Sequence, residues 1–257
     1  MYFFASDYDG TLYQDSQVSQ KDLRLIKEFR AQGHHFGIAT GRHLNSILGE
    51  LDKYQIEVDF TIGNNGSAIL DHNRKELYLA AIDKAMVREA FDYVVKHMSD
   101  EFYFIAINNG YHYGQKTFYQ ELESFDAGDR ISLEDAFNSE TICAMFGQIL
   151  PGKDSLLISN QLNEAFKGKL QACPNGSFVD IVLPNDNKAR AIQRVVSSLD
   201  SRVKKVFTIG DSYNDIEMIQ MYDGFVIAGG EDHLRGLSDK RVATVGEALE
   251  LVMSGVL

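Results

Sequence analysis

Two aspartates, Asp7 and Asp9, stand two residues apart in "DYDGTLY", directly after the apolar run "YFFAS". A carboxylate is ionised at neutral pH and can attack phosphorus with no base to deprotonate it, which suits Asp7 as a nucleophile. Asp9 can then serve as acid and afterwards as base. The plain alternative is an Asp-Gly turn that ends a strand, closed by Gly10 and Thr11. Three further clusters bear on the choice. "IATGR" offers the Thr40 hydroxyl and the Gly41 backbone just before a helix, where free N–H groups bind phosphate or a small-residue turn merely caps the helix. "NKARAI" puts Lys188 at a helix start, where the dipole disfavours a cation, so it is either a phosphate ligand or a solvated surface lysine. "TIGDSYNDIEM" ends a strand on Asp211 and sets Asn214 and Asp215 in the next turn, groups that cap a helix or hold a hard cation and its surrounding shell.

Electrostatics joins the four clusters. A carboxylate approaching a phosphate meets about 4 kcal/mol of repulsion per unit-charge pair at about 4 Å and an effective dielectric of about 20. Asp7, Asp9 and Asp211 together therefore require a cation. Mg²⁺ fits, because it takes a few carboxylates and completes its shell with water and substrate phosphate. Lys188 adds positive charge, and Thr40 with nearby backbone N–H groups cradles the phosphate oxygens.

The elements that must position these residues follow from periodicity. The strands "YFFAS", "HFGIATG" and "DFTIGNNG" alternate with the helical stretches "SQKDLRLIKEFRAQG" and "HLNSILGELDKY". That order predicts right-handed crossovers and a parallel sheet covered on both faces. The pattern changes at "DKAMVREAFDYVVKHM", an amphipathic helix, and at "EFYFIAINNGYHYGQ", where Asn-Gly predicts a hairpin. The first pattern resumes with "NKARAIQRVVSSL", "KVFTIGD", "GFVIAG", "RVATV" and "EALELVM". The expected organisation is one α/β parallel-sheet domain from residues 1–82 and 183–257, with an α+β unit of residues 83–182 inserted. Ligands of such a sheet bind at the carboxyl ends of its strands, where all four clusters fall.

The formal net charge of −12 disfavours nucleic acid as a partner but permits a small anion at a locally positive site. A hydrophobic fraction of 44% supports a packed core. No Lys or Arg precedes "MYFFA", and the run breaks at Asp7, which argues against a signal peptide. No apolar run is long enough for a membrane span, so the expectation is a soluble cytoplasmic protein. Cys143 and Cys173 read as reduced, packed residues. His34, His35 and His43 lack the ligand partners of a metal site and read as strand-edge or surface residues. Tyr111, His112 and Tyr113 fit hairpin packing or contacts to a substrate, and "DHNRKE" fits a solvated loop.

Taken in order, "DYDGT", "IATGR", the lysine of "NKARAI" and "GDSYND" resemble the four motifs of the haloacid dehalogenase (HAD) superfamily. Within it the chain is similar to the Cof-type hydrolases, which carry a large α/β cap between the second and third motifs. The resemblance implies a Rossmann-like core with an inserted cap that sets substrate specificity. It implies a Mg²⁺-dependent phosphatase that hydrolyses small phosphorylated metabolites, such as sugar or cofactor phosphates, through an aspartyl-phosphate. Asp7 would be nucleophile and metal ligand, and Asp9 the acid/base and a metal ligand through its backbone carbonyl. Asp211 would be the other metal ligand. Thr40, Gly41, Lys188, Asn214 and the Tyr8 backbone would contact phosphate, with Asp215 supporting the metal site or Lys188. Arg42 would bind substrate or pair structurally. A phosphomutase of the same superfamily and a non-catalytic phosphometabolite-binding regulator are the competing readings. Ser67 stands where that group usually has Ala, Ala189 where many relatives have Gly, and "IAGGEDH" replaces an "MGNA"-like turn.

Overall fold

The computed structural model describes residues 1–97, 102–106, 110–113, 129–130, 132–138, 141–149, 153–175, 178–199, 203–230, 232–234 and 236–255. The chain begins with β1 (Tyr2–Ser6), β2 (Tyr13–Gln14), β3 (Gln17–Val18), α1 (Gln20–Ala31), β4 (His35–Ala39), α2 (Leu44–Tyr54), β5 (Phe60–Gly63), β6 (Ala68–Asp71) and β7 (Glu76–Leu79). It continues with α3 (Lys84–His97), β8 (Phe102–Ala106), β9 (Gly110–Tyr113), β10 (Asp129–Arg130), α4 (Leu133–Asn138), β11 (Ile142–Gln148), α5 (Ser155–Ala165), β12 (Gln171–Asn175) and β13 (Phe178–Val182). It ends with α6 (Lys188–Ser198), β14 (Lys205–Gly210), α7 (Ile216–Met221), β15 (Asp223–Ile227), β16 (Arg241–Val242) and α8 (Val245–Ser254).

The first sheet has the order β16-β15-β14-β1-β4-β5-β6-β7. It is parallel from β16 to β5, as the alternating pattern predicts. β6 and β7 add an antiparallel edge that the sequence reading did not anticipate. "DHNRKE" lies largely in the turn between them, where Asp71 N–H donates to the Lys75 carbonyl at 2.9 Å. The hairpin was hard to see because only Ala68, Ile69 and Leu70 of β6 are buried, while Glu76 and Leu77 of β7 are exposed.

Successive residues of β1 point to opposite faces, and both faces are covered. Phe4 packs with Phe36, Phe207, Phe225 and the inner sides of α1 and α8. Phe3 packs on the other face with Phe60, Ile62, Met218 and α6, its ring stacked on Phe60 at 4.5 Å. This double coverage explains why "YFFAS" is apolar without alternation.

The second sheet has the order β10-β9-β8-β11-β13-β12, and its strands are antiparallel except for β10 against β9. β8 and β9 pair as the Asn-Gly signal predicts, while the side chains of Tyr111, His112 and Tyr113 lie outside the described residues. Val87, Ala90, Phe91 and Val94 of α3, with Ile158 and Leu162 of α5, share an apolar layer with Met145, Val179 and Ile181 of this sheet. No helix among the described residues is long and apolar enough to cross a membrane.

Candidate active site

The strand order reverses beside β1. The chain steps outward from β1 through β4 to β5 and later returns to lay β14 on the other side. Such a reversal leaves a crevice at the carboxyl ends of the strands. β14, β1, β4 and β5 are neighbours in that order, so Asp211, Asp7, Thr40 and Asn64, which follow them, line one rim. Neighbouring strands lie about 4.8 Å apart, within reach of short side chains.

Asp7 is 4% exposed, and its N–H donates to the Ile209 carbonyl at 3.0 Å, carrying the β1–β14 pairing one residue onward. Lys188 reaches it as the first residue of α6, a helix capped by Asn187, whose side chain accepts the Arg190 N–H at 2.8 Å. Lys188 is 1% exposed, and its Nζ lies 2.6 Å from Asp7 Oδ1, 2.7 Å from Asp215 Oδ1 and 3.3 Å from Asn214 Oδ1. Burial opposes its charge, but Asp215 and Asp7 outweigh burial and raise its pKa. The solvated-lysine reading is thereby replaced by a buried ammonium between two carboxylates.

One oxygen each of Asp7, Asp211 and Asp215 lies within 4.8 Å of the others. Burial raises the Asp7 carboxyl well above its ordinary value; Lys188 opposes this, while Asp215 and Asp211 add to it. Burial and then Asp215 push Asp211 up to about 6, against the Thr11 hydroxyl, which donates to Asp211 Oδ1 at 2.6 Å. Ionised, three carboxylates against one ammonium leave two negative charges without compensation. A divalent, oxygen-seeking cation matches that deficit in charge and in donor type. Asp215 Oδ1 is taken by Lys188, and its Oδ2 accepts the N–H groups of Asp211 and Ser212 at 3.0 and 3.1 Å. Asp7 and Asp211 are then the carboxylates set to face an ion, with Asp215 holding both Lys188 and the Asp211 backbone. Gly10 makes room for this: its φ is +77°, and a Cβ there would stand 2.4 Å from Asp211 Oδ2.

Asp9 lies outside that group. Its carboxylate forms a bidentate pair with Arg42, Nε to Oδ2 at 2.8 Å and Nη2 to Oδ1 at 2.6 Å, and the guanidinium sits 5.1 Å from the Tyr8 ring centroid. Arg42 thus pairs with the residue that the resemblance casts as acid/base. The Tyr8 side chain is committed to the interior, its hydroxyl donating to Glu50 Oε2 at 2.7 Å, which leaves only its backbone for a ligand. Thr40 is 1% exposed; its carbonyl accepts the Asn65 N–H at 3.0 Å and its hydroxyl accepts the Arg42 N–H at 3.2 Å. Gly41 lies against the Asn65 side chain. The cap of α2 is not Thr40 but His43, whose Nδ1 accepts the Ser46 N–H at 3.2 Å; buried, it is a helix cap where a strand-edge or surface residue was expected. Ala189 packs among Phe3, Phe60 and Ile192, so the departure from Gly fills apolar space behind Lys188.

Three residues with direct roles in this geometry were not singled out from the sequence. Thr11 was visible as part of the first turn, and Ser212, which donates to Asn214 Oδ1 at 2.7 Å, as part of "GDSYND". Asn65 accepts from Asn214 Nδ2 at 3.1 Å and donates to Asp180 Oδ2 at 2.7 Å. Its signal was "NNG", a pair of residues tolerant of positive φ at a strand end.

A family model of haloacid dehalogenase-like hydrolases matches residues 4–242. The 5-amino-6-(5-phospho-D-ribitylamino)uracil phosphatase YcsE of Bacillus subtilis is 26% identical over 239 residues, covering 91% of this chain and 87% of that one. Its counterpart YitU, from the same organism, is 24% identical and covers 95% and 92%. Among solved structures, the HAD subclass IIB sugar phosphatase BT4131 superposes with a TM-score of 0.82 over 100% of both chains at 18% identity, which shows the same fold.

Proposed function

The chain belongs to the haloacid dehalogenase-like hydrolases, and from that premise we propose that it is a Mg²⁺-dependent phosphatase acting on small phosphorylated metabolites through an aspartyl-phosphate. The observation that carries this is the buried Asp7–Lys188–Asp215 arrangement at the strand-order reversal, with Asp211 beside it. Asp7 attacks phosphorus in line, and the bond to the leaving oxygen breaks as Asp9 protonates that oxygen. Asp9 then takes a proton from the water that cleaves the acyl phosphate. Because Arg42 grips both Asp9 oxygens here, Asp9 acts as an acid only after that grip loosens and the carboxylate has taken up a proton from solvent. Lys188, Thr40, Gly41, Asn214 and the Tyr8 backbone hold the phosphoryl oxygens.

Asp7, Asp211 and the Asp9 carbonyl would hold Mg²⁺. When bound, the ion neutralises phosphoryl charge and keeps Asp7 ionised despite its burial. The names of the two Bacillus subtilis relatives specify a phosphorylated ribitylamino-uracil, and that of BT4131 sugar phosphates. Both support a compact phosphate monoester as substrate, and the net charge of −12 fits such a partner better than nucleic acid.

The test is a panel of phosphorylated metabolites with phosphorus NMR as readout. Free phosphate that requires Mg²⁺, appears with wild type and disappears with Asp7→Asn is the expected result. A rearranged ester identifies a mutase, and undiminished turnover by a folded Asp7→Asn variant rules out the nucleophile assignment.

A further inference from the structure

A line of polar side chains runs from the second sheet to the nucleophile, and each link fixes the direction of the next. Asp180 of β13 is a carboxylate and accepts hydrogen bonds without donating any. Its Oδ2 takes the Asn65 amide N–H at 2.7 Å, which turns the Asn65 oxygen the other way, toward Asn214. That oxygen accepts the Asn214 amide N–H at 3.1 Å. Asn214 is thereby turned with its own oxygen toward the Lys188 ammonium at 3.3 Å, and Lys188 holds Asp7 at 2.6 Å. Reversing either amide sets an NH₂ against the ammonium or an oxygen against Asp180. Asp180 is 5% exposed and Asn65 8%, so water is a poor substitute for either partner.

The backbone beneath Asn65 is arranged to present this side chain. Asn64 and Asn65 both have a φ of 52° and Gly66 one of 111°, a run of left-handed residues that costs free energy at the two asparagines. Gly66 is pressed on the residue that caps the Lys188 helix: a Cβ there would lie 2.5 Å from the Asn187 carbonyl oxygen. The same loop therefore braces the lysine from behind and orients its asparagine neighbour in front.

We propose that Asn65 is a positioning residue of the phosphate site, and that Asp180 sets, through Asn65, which end of the Asn214 amide faces Lys188 and the incoming phosphate. The effect on turnover rests on the phosphatase reading, whereas the hydrogen-bonded line itself does not. It follows that the site is fully ordered only while β13 stands where it does here.

An exchange across the Asn65–Asp180 link tests this. Asn65→Asp alone sets two carboxylates face to face. Adding Asp180→Asn restores the bond with its donor on the other side, and the carboxylate introduced at position 65 still accepts from Asn214. Adding Asp180→Ala instead restores the net charge without the bond. With Mg²⁺ present, Asn65→Asp is expected to weaken inhibition by inorganic phosphate and kcat/KM for p-nitrophenyl phosphate by roughly tenfold or more. The Asp180→Asn pairing recovers both to within about threefold of wild type, and the Asp180→Ala pairing does not. In ¹H–¹⁵N spectra, Asp180→Ala shifts the Asn214 side-chain amide signals although the two residues are separated by Asn65. Equal behaviour of the two double variants, or unmoved Asn214 signals in Asp180→Ala, overturns the proposal. A wild type that neither hydrolyses the aryl ester nor binds phosphate refutes the phosphatase reading instead, and the amide signals then decide this one.

Discussion

Replacing Lys188 by Met keeps the length and apolar stem of the side chain and deletes one buried charge. In the structure that charge faces Asp7 at 2.6 Å and Asp215 at 2.7 Å, and neither Lys188 nor Asp215 is more than 1% exposed. At an effective dielectric of about 20, each attraction is worth about 6 kcal/mol before the cost of taking the charges out of water. That cost is several kcal/mol per ion, so the net effect is smaller: breaking a buried pair by removing one partner destabilises by about 3–5 kcal/mol. The variant is therefore expected to lose about 3–5 kcal/mol in urea unfolding at pH 7.5 without metal. Protonation relieves the stranded carboxylates, so the deficit shrinks on acidification. The sign follows because carboxyls raised above their ordinary pKa make the folded state bind more protons than the unfolded state, and stability then falls as pH rises. Adding Asp215→Asn removes one stranded charge and recovers part of the loss. A Lys188→Met variant within about 1 kcal/mol of wild type at pH 7.5 refutes the claim that this ammonium neutralises the site.

Two other expectations follow from the same cluster. Mg²⁺ raises the thermal midpoint of the wild type more at pH 7.5 than at pH 5, because Asp211, pushed up to about 6, competes for a proton at the lower pH; calorimetric scans at both pH values check this, and an equal or reversed effect contradicts it. Gly10→Ala weakens Mg²⁺ binding in a calorimetric titration and costs about 1–3 kcal/mol of stability, since a left-handed φ and a Cβ 2.4 Å from Asp211 Oδ2 must both be accommodated; unchanged metal affinity counts against the Gly10–Asp211 contact.

What the sequence made legible was local. Three of the four clusters are an apolar strand followed at once by polar residues, so the strand-end positions of Asp7, Thr40 and Asp211 were legible from short windows, and the parallel order followed from the alternation of strands with amphipathic helices. What it hid was long-range or depended on side-chain direction. Asn65 stood in plain view as "NNG", but its meaning lies in Asp180, 115 residues away, which no local pattern connects to it. The Tyr8 side chain packs inside, yet nothing in "DYDGT" says that its hydroxyl goes to Glu50. Arg42 meets its partner Asp9 across 33 residues, a pairing that no local window shows. The β6–β7 hairpin is not legible in the sequence because β7 presents exposed residues where burial would have marked a strand.

The placement of β1 also dictates when this protein can become safe from itself during synthesis. One of its edges pairs with β4, Phe3–Ser6 against His35–Ile38, but its other edge waits for β14, whose Lys205–Ile209 pair with Tyr2–Ser6 only once residue 209 has been made. Until then an emerging chain carries the aromatic strand "YFFAS" with one ladder of N–H and C=O groups open, the kind of edge that recruits other strands. The carboxylate at its end meanwhile lacks its ammonium, which arrives only with residue 188. Chains halted before residue 205 are thus the species in which a chaperone has an edge to cover.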